Sequence, residues 1–137
     1  MDNKLIYIVE DDEAIRDLES YALKNSEFDV EVFESAKGFV EACFIKVPSL
    51  IILDIMLPGE DGVSILKRVR KSDALQDVPV IMVTAKTAEI DAVKALDAGA
   101  DDYINKPFGV MELVSRVKAL LRRVEKKEKK VYQFEGI

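Results

Sequence analysis

A single sheet of parallel strands, covered by helices on both faces, is the fold class this sequence predicts. Three observations predict it. Five short apolar runs rich in β-branched residues each precede a segment with helical spacing. The runs are nearly continuous in hydrophobicity where an exposed face would alternate, as expected for strands buried on both sides. The chain has 137 residues, 49% hydrophobic and 34% charged, enough for one domain with a substantial core.

The first strand is the run Leu5-Ile6-Tyr7-Ile8-Val9. Residues 13–25 place Ile15, Leu18 and Ala22 at helical spacing, predicting a helix with Asp12 as N-cap and Ile15 and Leu18 in the core. Phe28, Val30 and Val32 alternate with acids and predict a half-exposed second strand. Ser35 is positioned to cap a helix running to about residue 46, with Phe39, Ala42 and Cys43 inward. The most apolar strand, Leu50-Ile51-Ile52-Leu53, ends at Asp54 and is predicted central. Pro58, Gly59 and Gly62 interrupt the chain before a helix over 63–71. Residues 78–84 form a fourth strand, entered through Pro79, and 88–98 a helix stopped by Gly99. A short fifth strand over 102–105 precedes a helix over about 108–127.

Five strand–helix units with right-handed crossovers form a three-layer, doubly wound (βα)5 sheet, flavodoxin-like, with parallel strand order 2-1-3-4-5. That topology places a ligand site outside the carboxyl ends of the strands. Several chemistries are excluded first. There is no histidine, so Ser-His-Asp and Cys-His hydrolase sites, histidine-ligated zinc and a histidine phosphocarrier are all ruled out. Cys43 is the only cysteine, so no intrachain disulfide or multi-cysteine metal site forms. No Gly-x-Gly-x-x-Gly follows the first strand and no Walker motif occurs, and the acidic segment after that strand does not suit a flavin phosphate. Net charge is −6. Residues 122–130 hold six bases and two acids and residues 131–137 a single acid, so the first 121 residues carry −9. A body this acidic repels a phosphate backbone. Nothing reads as a signal peptide or a membrane span, so a soluble, cytoplasmic protein without membrane contact is expected.

The strand ends carry the chemistry. Glu10, Asp11, Asp12 and Glu13 follow the first strand, Asp54 ends the third, Thr84 ends the fourth, and Lys106-Pro107 follows the fifth. Carboxylates converging in one crevice repel by about 4 kcal/mol at an effective dielectric near 20. They call for a cation or a raised pKa. All-oxygen ligands suit Mg²⁺. Lys106 offers a compact positive charge for an anion beside that metal, and Thr84 a hydroxyl. A carboxylate so surrounded is suited to accept a phosphoryl group.

Together, Glu10-Asp11 after an apolar strand, Asp54 opening D-I-M-L-P-G-E-D-G, Thr84-Ala85 and Lys106-Pro107-Phe108 resemble the receiver domain of bacterial two-component response regulators. G-A-D-D-Y-I-N-K-P-F followed by E-L-V-S-R-V-K-A-L-L-R-R is most similar to the OmpR/PhoB-type subfamily. The resemblance covers about residues 4–123. It implies that Asp54 is the phosphoacceptor, served by a partner histidine kinase. Asp11, Glu10, Asp54 and the Met56 carbonyl would hold Mg²⁺, while Lys106 and Thr84 contact the phosphoryl oxygens and Tyr103 moves with Thr84. The same pattern implies a cis Lys106–Pro107 bond, assigns Glu10 and Asp11 to the metal, and leaves Asp12 as the N-cap. Met56 and Lys86 stand where the family tunes loss of the phosphoryl group. The chain is then a switch, not an enzyme in the usual sense.

The resemblance also implies homodimerisation on phosphorylation through the fourth helix, fifth strand and last helix. Lys94, Asp97, Asp101, Asp102, Glu112, Arg116 and Arg123 supply ion pairs there, while Ala92 replaces an expected base. Residues 1–123 would form the receiver. Residues 124–137 would be a charged linker and the start of a truncated DNA-binding effector, with VYQFEGI alternating as a strand does. DNA would be contacted only through that effector. Two other readings compete: a receiver that has lost phosphoryl chemistry and serves only as an interaction module, and an aspartyl phosphohydrolase. The second lacks an acid two residues after Asp54, where Met56 stands.

Overall fold

A computed structural model describes residues 3–85 and 89–135; the side chains of 89–92 and 128–135 lie outside that description. Its elements are β1 (Leu5–Val9), α1 (Glu13–Asn25), β2 (Asp29–Phe33), α2 (Ala36–Ile45), β3 (Leu50–Asp54), α3 (Gly62–Lys71), β4 (Val80–Thr84), α4 (Glu89–Asp97), β5 (Asp102–Asn105) and α5 (Val110–Glu135). All strand pairs are parallel, in the order β2-β1-β3-β4-β5.

The continuous apolar runs have the consequence expected of them. Every residue of β1, β3 and β4 is buried, whereas the edge strand β2 leaves Val32 exposed. Alternate strand residues feed two cores. Tyr7, Val9, Ile51, Leu53, Val80 and Met82 pack under α2, α3 and α4 with Phe39, Ile65, Val69 and Ala95. Ile6, Ile8, Leu50, Ile52, Ile81 and Val83 pack on the other side with Leu23 of α1 and Leu113, Val117 and Leu120 of α5. Near the β2 edge the rings of Tyr7, Phe33 and Phe39 meet edge to face.

Local details correct four sequence expectations. Leu18 is 48% exposed; the buried stripe of α1 runs through Glu19 and Leu23, with Ile15 half-buried. Ser35 occupies the N-cap of α2 but its side chain makes no capping bond. Asp12 does cap α1, accepting from the Ile15 N–H at 3.1 Å, and Asp61 caps α3 through the Ser64 N–H. Gly62 is the first residue of α3 and not part of the interruption before it. Finally, residues 131–135 continue α5 as helix where the alternation of VYQFEGI predicts a strand. The Lys- and Glu-rich segment before them favours helix, and a lone strand without a ladder partner is unstable.

Candidate phosphoacceptor site

The site lies at the carboxyl ends of β1, β3, β4 and β5. Asp54 ends β3, fixed there because the Ile55 N–H donates to Val83 O of β4 at 3.1 Å. Its carboxylate is 4% exposed and anchored at both oxygens: the Met56 N–H donates to Oδ1 at 3.0 Å, and Lys106 Nζ lies 3.1 Å from Oδ2. Glu10, directly after β1, is buried and receives the same ammonium at 2.6 Å through Oε1. Its backbone is held from two sides. The Glu10 N–H donates to Phe33 O, and Arg16 donates to Glu10 O. Lys106 is brought in by β5, whose Asn105 pairs with Thr84, and the Lys106 N–H donates to Thr84 O at 2.7 Å. The Lys106–Pro107 bond is cis.

Carboxylate oxygens of Glu10, Asp11 and Asp54 all lie within 4.8 Å of one another. Asp12 is outside that group, occupied with α1. Among the described residues, three carboxylates face one lysine, which leaves the crevice short of positive charge. Burial, followed by the hydrogen-bonding contact with Asp54, pushes Glu10 up to about 7. Burial pulls Lys106 down, but the hydrogen bond to Glu10 and the charge of Asp54 outweigh it and raise its pKa overall. The donors are hard oxygens, one exposed and two buried, which fits a small divalent cation that keeps part of its water.

The remaining predicted residues are distributed around this centre. Thr84 is fully buried at the end of β4, and Met56 is exposed at the mouth. Tyr103 is half-buried on β5 against the α2–α4 core. Lys86 and the side chain of Ala92 lie outside the described residues. On the outer face Arg116 of α5 binds Asp102 at 3.0 and 3.1 Å and Glu112 at 3.2 Å within the same chain. Lys94, Asp97 and Arg123 are exposed. Asp101 stays exposed while accepting from Arg70 and from the Val80 N–H at 2.8 Å each, so its charge also serves the fold.

Sequence reasoning missed one residue beside the site. Glu19 is 1% exposed, and among the described residues both its carboxylate oxygens lack a hydrogen-bond partner. Burial, then the charge of Glu10, pushes it up to about 8, while Lys106 opposes the shift. Its signal was positional: Glu19 lies four residues after Ile15 and four before Leu23, on the inward stripe of α1.

A family model described as the response regulator receiver domain matches residues 6–118. Among solved structures, a CheY-like response regulator receiver domain protein from Methanospirillum hungatei is 32% identical, with TM-score 0.85, over 91% of this chain and 98% of that one. A response regulator from Chloroflexus aurantiacus is 32% identical, with TM-score 0.84, over 88% and 98%. The BeF3-activated N-terminal receiver domain of RstA from Klebsiella pneumoniae is 30% identical, with TM-score 0.80, over 86% and 98%.

Proposed function

The chain belongs to the response regulator receiver domain family, the phospho-accepting switch of two-component signalling, and on that premise we propose that Asp54 is its phosphoacceptor. The observation that carries the reading is the seating of Asp54: a buried carboxylate between the Met56 N–H and the Lys106 ammonium, beside Glu10 and Asp11.

An Asp54 oxygen attacks the phosphorus of a phosphohistidine on a partner kinase. A P–O bond to Asp54 forms as the P–N bond breaks, and the imidazole nitrogen keeps the electron pair and takes up a proton. Glu10, Asp11, Asp54 and the Met56 carbonyl are the residues to hold Mg²⁺, which when bound offsets the negative charge gathered at the transferring group. Lys106 moves its ammonium from the bare Asp54 carboxylate to the phosphoryl oxygens. The Thr84 hydroxyl turns to donate to one of them, and Tyr103 follows inward. The added charge, nearly −2 with three acceptor oxygens, stabilises the conformer that satisfies it.

The finer consequences belong to the same reading: an OmpR/PhoB-type receiver in the cytoplasm, dimerising on phosphorylation through α4, β5 and α5. Lys94, Asp97, Asp101, Asp102, Glu112, Arg116 and Arg123 form the paired face. Residues 1–123 are the receiver, and 124–137 lead towards a DNA-binding effector that regulates transcription. The RstA relative, an N-terminal receiver domain, supports that order of domains.

Intact mass after incubation with Mg²⁺ and an acyl-phosphate donor tests the acceptor. One phosphoryl adduct is expected on wild type and none on Asp54→Asn. An adduct on both, or on neither, overturns the assignment, and the second outcome leaves an interaction module without phosphoryl chemistry.

A further inference from the structure

The strongest feature outside the phosphoacceptor site is the outer edge of the α2–α3 layer. Between α2 and α3 lies an apolar groove of about 170 Å³, floored by Phe39, Val40, Cys43, Ile65, Val69 and Leu75. Phe44 forms its lip and is 87% exposed, and Ile45 beside it is 88% exposed. Burial pushes the Cys43 thiol up to about 11, so it stays protonated and acts here as an apolar wall.

We propose that this face is a self-complementary interface between two copies of the chain, each inserting Phe44 into the α2–α3 groove of the other. Shape supports the pairing. An apolar cavity of about 150 Å³ is known to take up a benzene ring, so a groove of this volume accommodates one phenyl side chain. Projection and groove share one face of one molecule, which is what a two-fold contact requires: a patch complementary to itself.

Charge supports it as well. Lys37, Glu41, Phe44 and Ile45 form the exposed side of α2, spaced at i, i+4, i+7 and i+8. Glu41 therefore sits one turn before Phe44 on the inserted edge. At the rim of the groove stands Arg68, half-exposed and held only loosely, 3.5 Å from Glu60. Insertion of Phe44 carries Glu41 towards the partner's Arg68, and the symmetry makes that pairing twice. The basic run of α3 also means that two acidic bodies do not meet through their acidic surfaces. The phosphorylation-dependent face formed by α4, β5 and α5 is a different one, so this contact exists without phosphoryl transfer.

Sedimentation of the unphosphorylated full chain, with no phosphodonor, from micromolar to millimolar concentration tests the proposal. Wild type should show a concentration-dependent dimer. Phe44→Glu, at a position too exposed to disturb folding, should weaken it by about 100-fold or more, since the symmetry counts each loss twice. Glu41→Arg and Arg68→Glu should each weaken the dimer, and the double reversal should restore it. A wild type that stays monomeric throughout overturns the proposal and leaves the groove to a different partner. So does a Phe44→Glu chain that dimerises as wild type does, or a double reversal that rescues nothing.

Discussion

Glu19 is a carboxylic acid in a place where the packing of α1 against the sheet and α5 asks for an apolar side chain. Hydropathy could not find it, because the pattern Ile15, Leu18, Ala22 is satisfied by a helix turned slightly from its true orientation. Leu18 pays with exposure what Glu19 and Leu23 gain in burial. The cost of that acid depends on pH. Its pKa rises from 4.5 to about 8 on folding, so the native state holds a proton that the unfolded chain releases between those values. Stability associated with Glu19 is full below pH 4.5 and is lost as pH rises towards 8. Over the part of that window above pH 6 the loss is about 2 to 3 kcal/mol. Glu10, raised to about 7, adds a smaller slope of the same sign. Denaturant unfolding of wild type at pH 6 and pH 9 should show the decline, and Glu19→Leu should remove most of it while gaining stability at pH 9. An equally steep decline in Glu19→Leu would place the titration elsewhere. The site residues, by contrast, were legible as a set. Glu10, Asp54, Thr84 and Lys106 each end or follow an apolar run, and only the sheet order was needed to bring them together.

Among the elements, α3 is the one that decides how Asp54 is presented. Its first residue, Gly62, packs so closely on the end of β3 that a Cβ would stand 2.2 Å from Asp54 O and 2.8 Å from Ile55 Cα. The Gly62 N–H meanwhile donates to Ile55 O at 2.7 Å. Backbone cannot yield as a flexible side chain does, so Gly62→Ala should push α3 away from the end of β3. We expect a loss of about 1 to 3 kcal/mol and a fall in Tm of about 4 to 12 °C, read by thermal unfolding. Unchanged Tm in Gly62→Ala would mean that α3 is free to slide. The sequence marks Gly62 only as a chain breaker. Nothing in its neighbours reveals a close approach between two segments that pack only in the folded sheet. At the far end of α3, Arg70 donates to Gly99 O, Val78 O and Asp101, tying α3 to the start of β5. That contact engages Asp101, exposed on the outer face, in holding the start of β5 as well. The end of α5 departs from the sequence pattern for a related reason. Alternation in VYQFEGI marks a strand only where another strand lies beside it, and the helix before it simply continues.

At the scale of the molecule the architecture was the most legible property, because parallel order follows from alternation and handedness and needs no individual side-chain contact. The same architecture gathers acidic charge at one end of the sheet. Carboxylates of Glu10, Asp11 and Asp54 meet there within 4.8 Å, in a body whose first 121 residues carry −9. Among the described residues it is Lys106 that offsets this cluster, bonded to two of its three members. A divalent cation bound only by the folded arrangement therefore stabilises the whole domain by mass action, about 2.7 kcal/mol at one hundred times its dissociation constant. Thermal unfolding with increasing Mg²⁺ should show Tm rising by several degrees and then levelling logarithmically. NaCl at matched ionic strength should not reproduce the rise, because screening acts on every exposed charge and not on one buried crevice. Asp11→Asn tests the assignment directly. Its side chain is exposed and contributes little to packing, so the variant should fold normally and lose the Mg²⁺ response. If Asp11→Asn keeps the full response, the cation sits elsewhere on the acidic surface, and the crevice at the strand ends relies on Lys106 in its place.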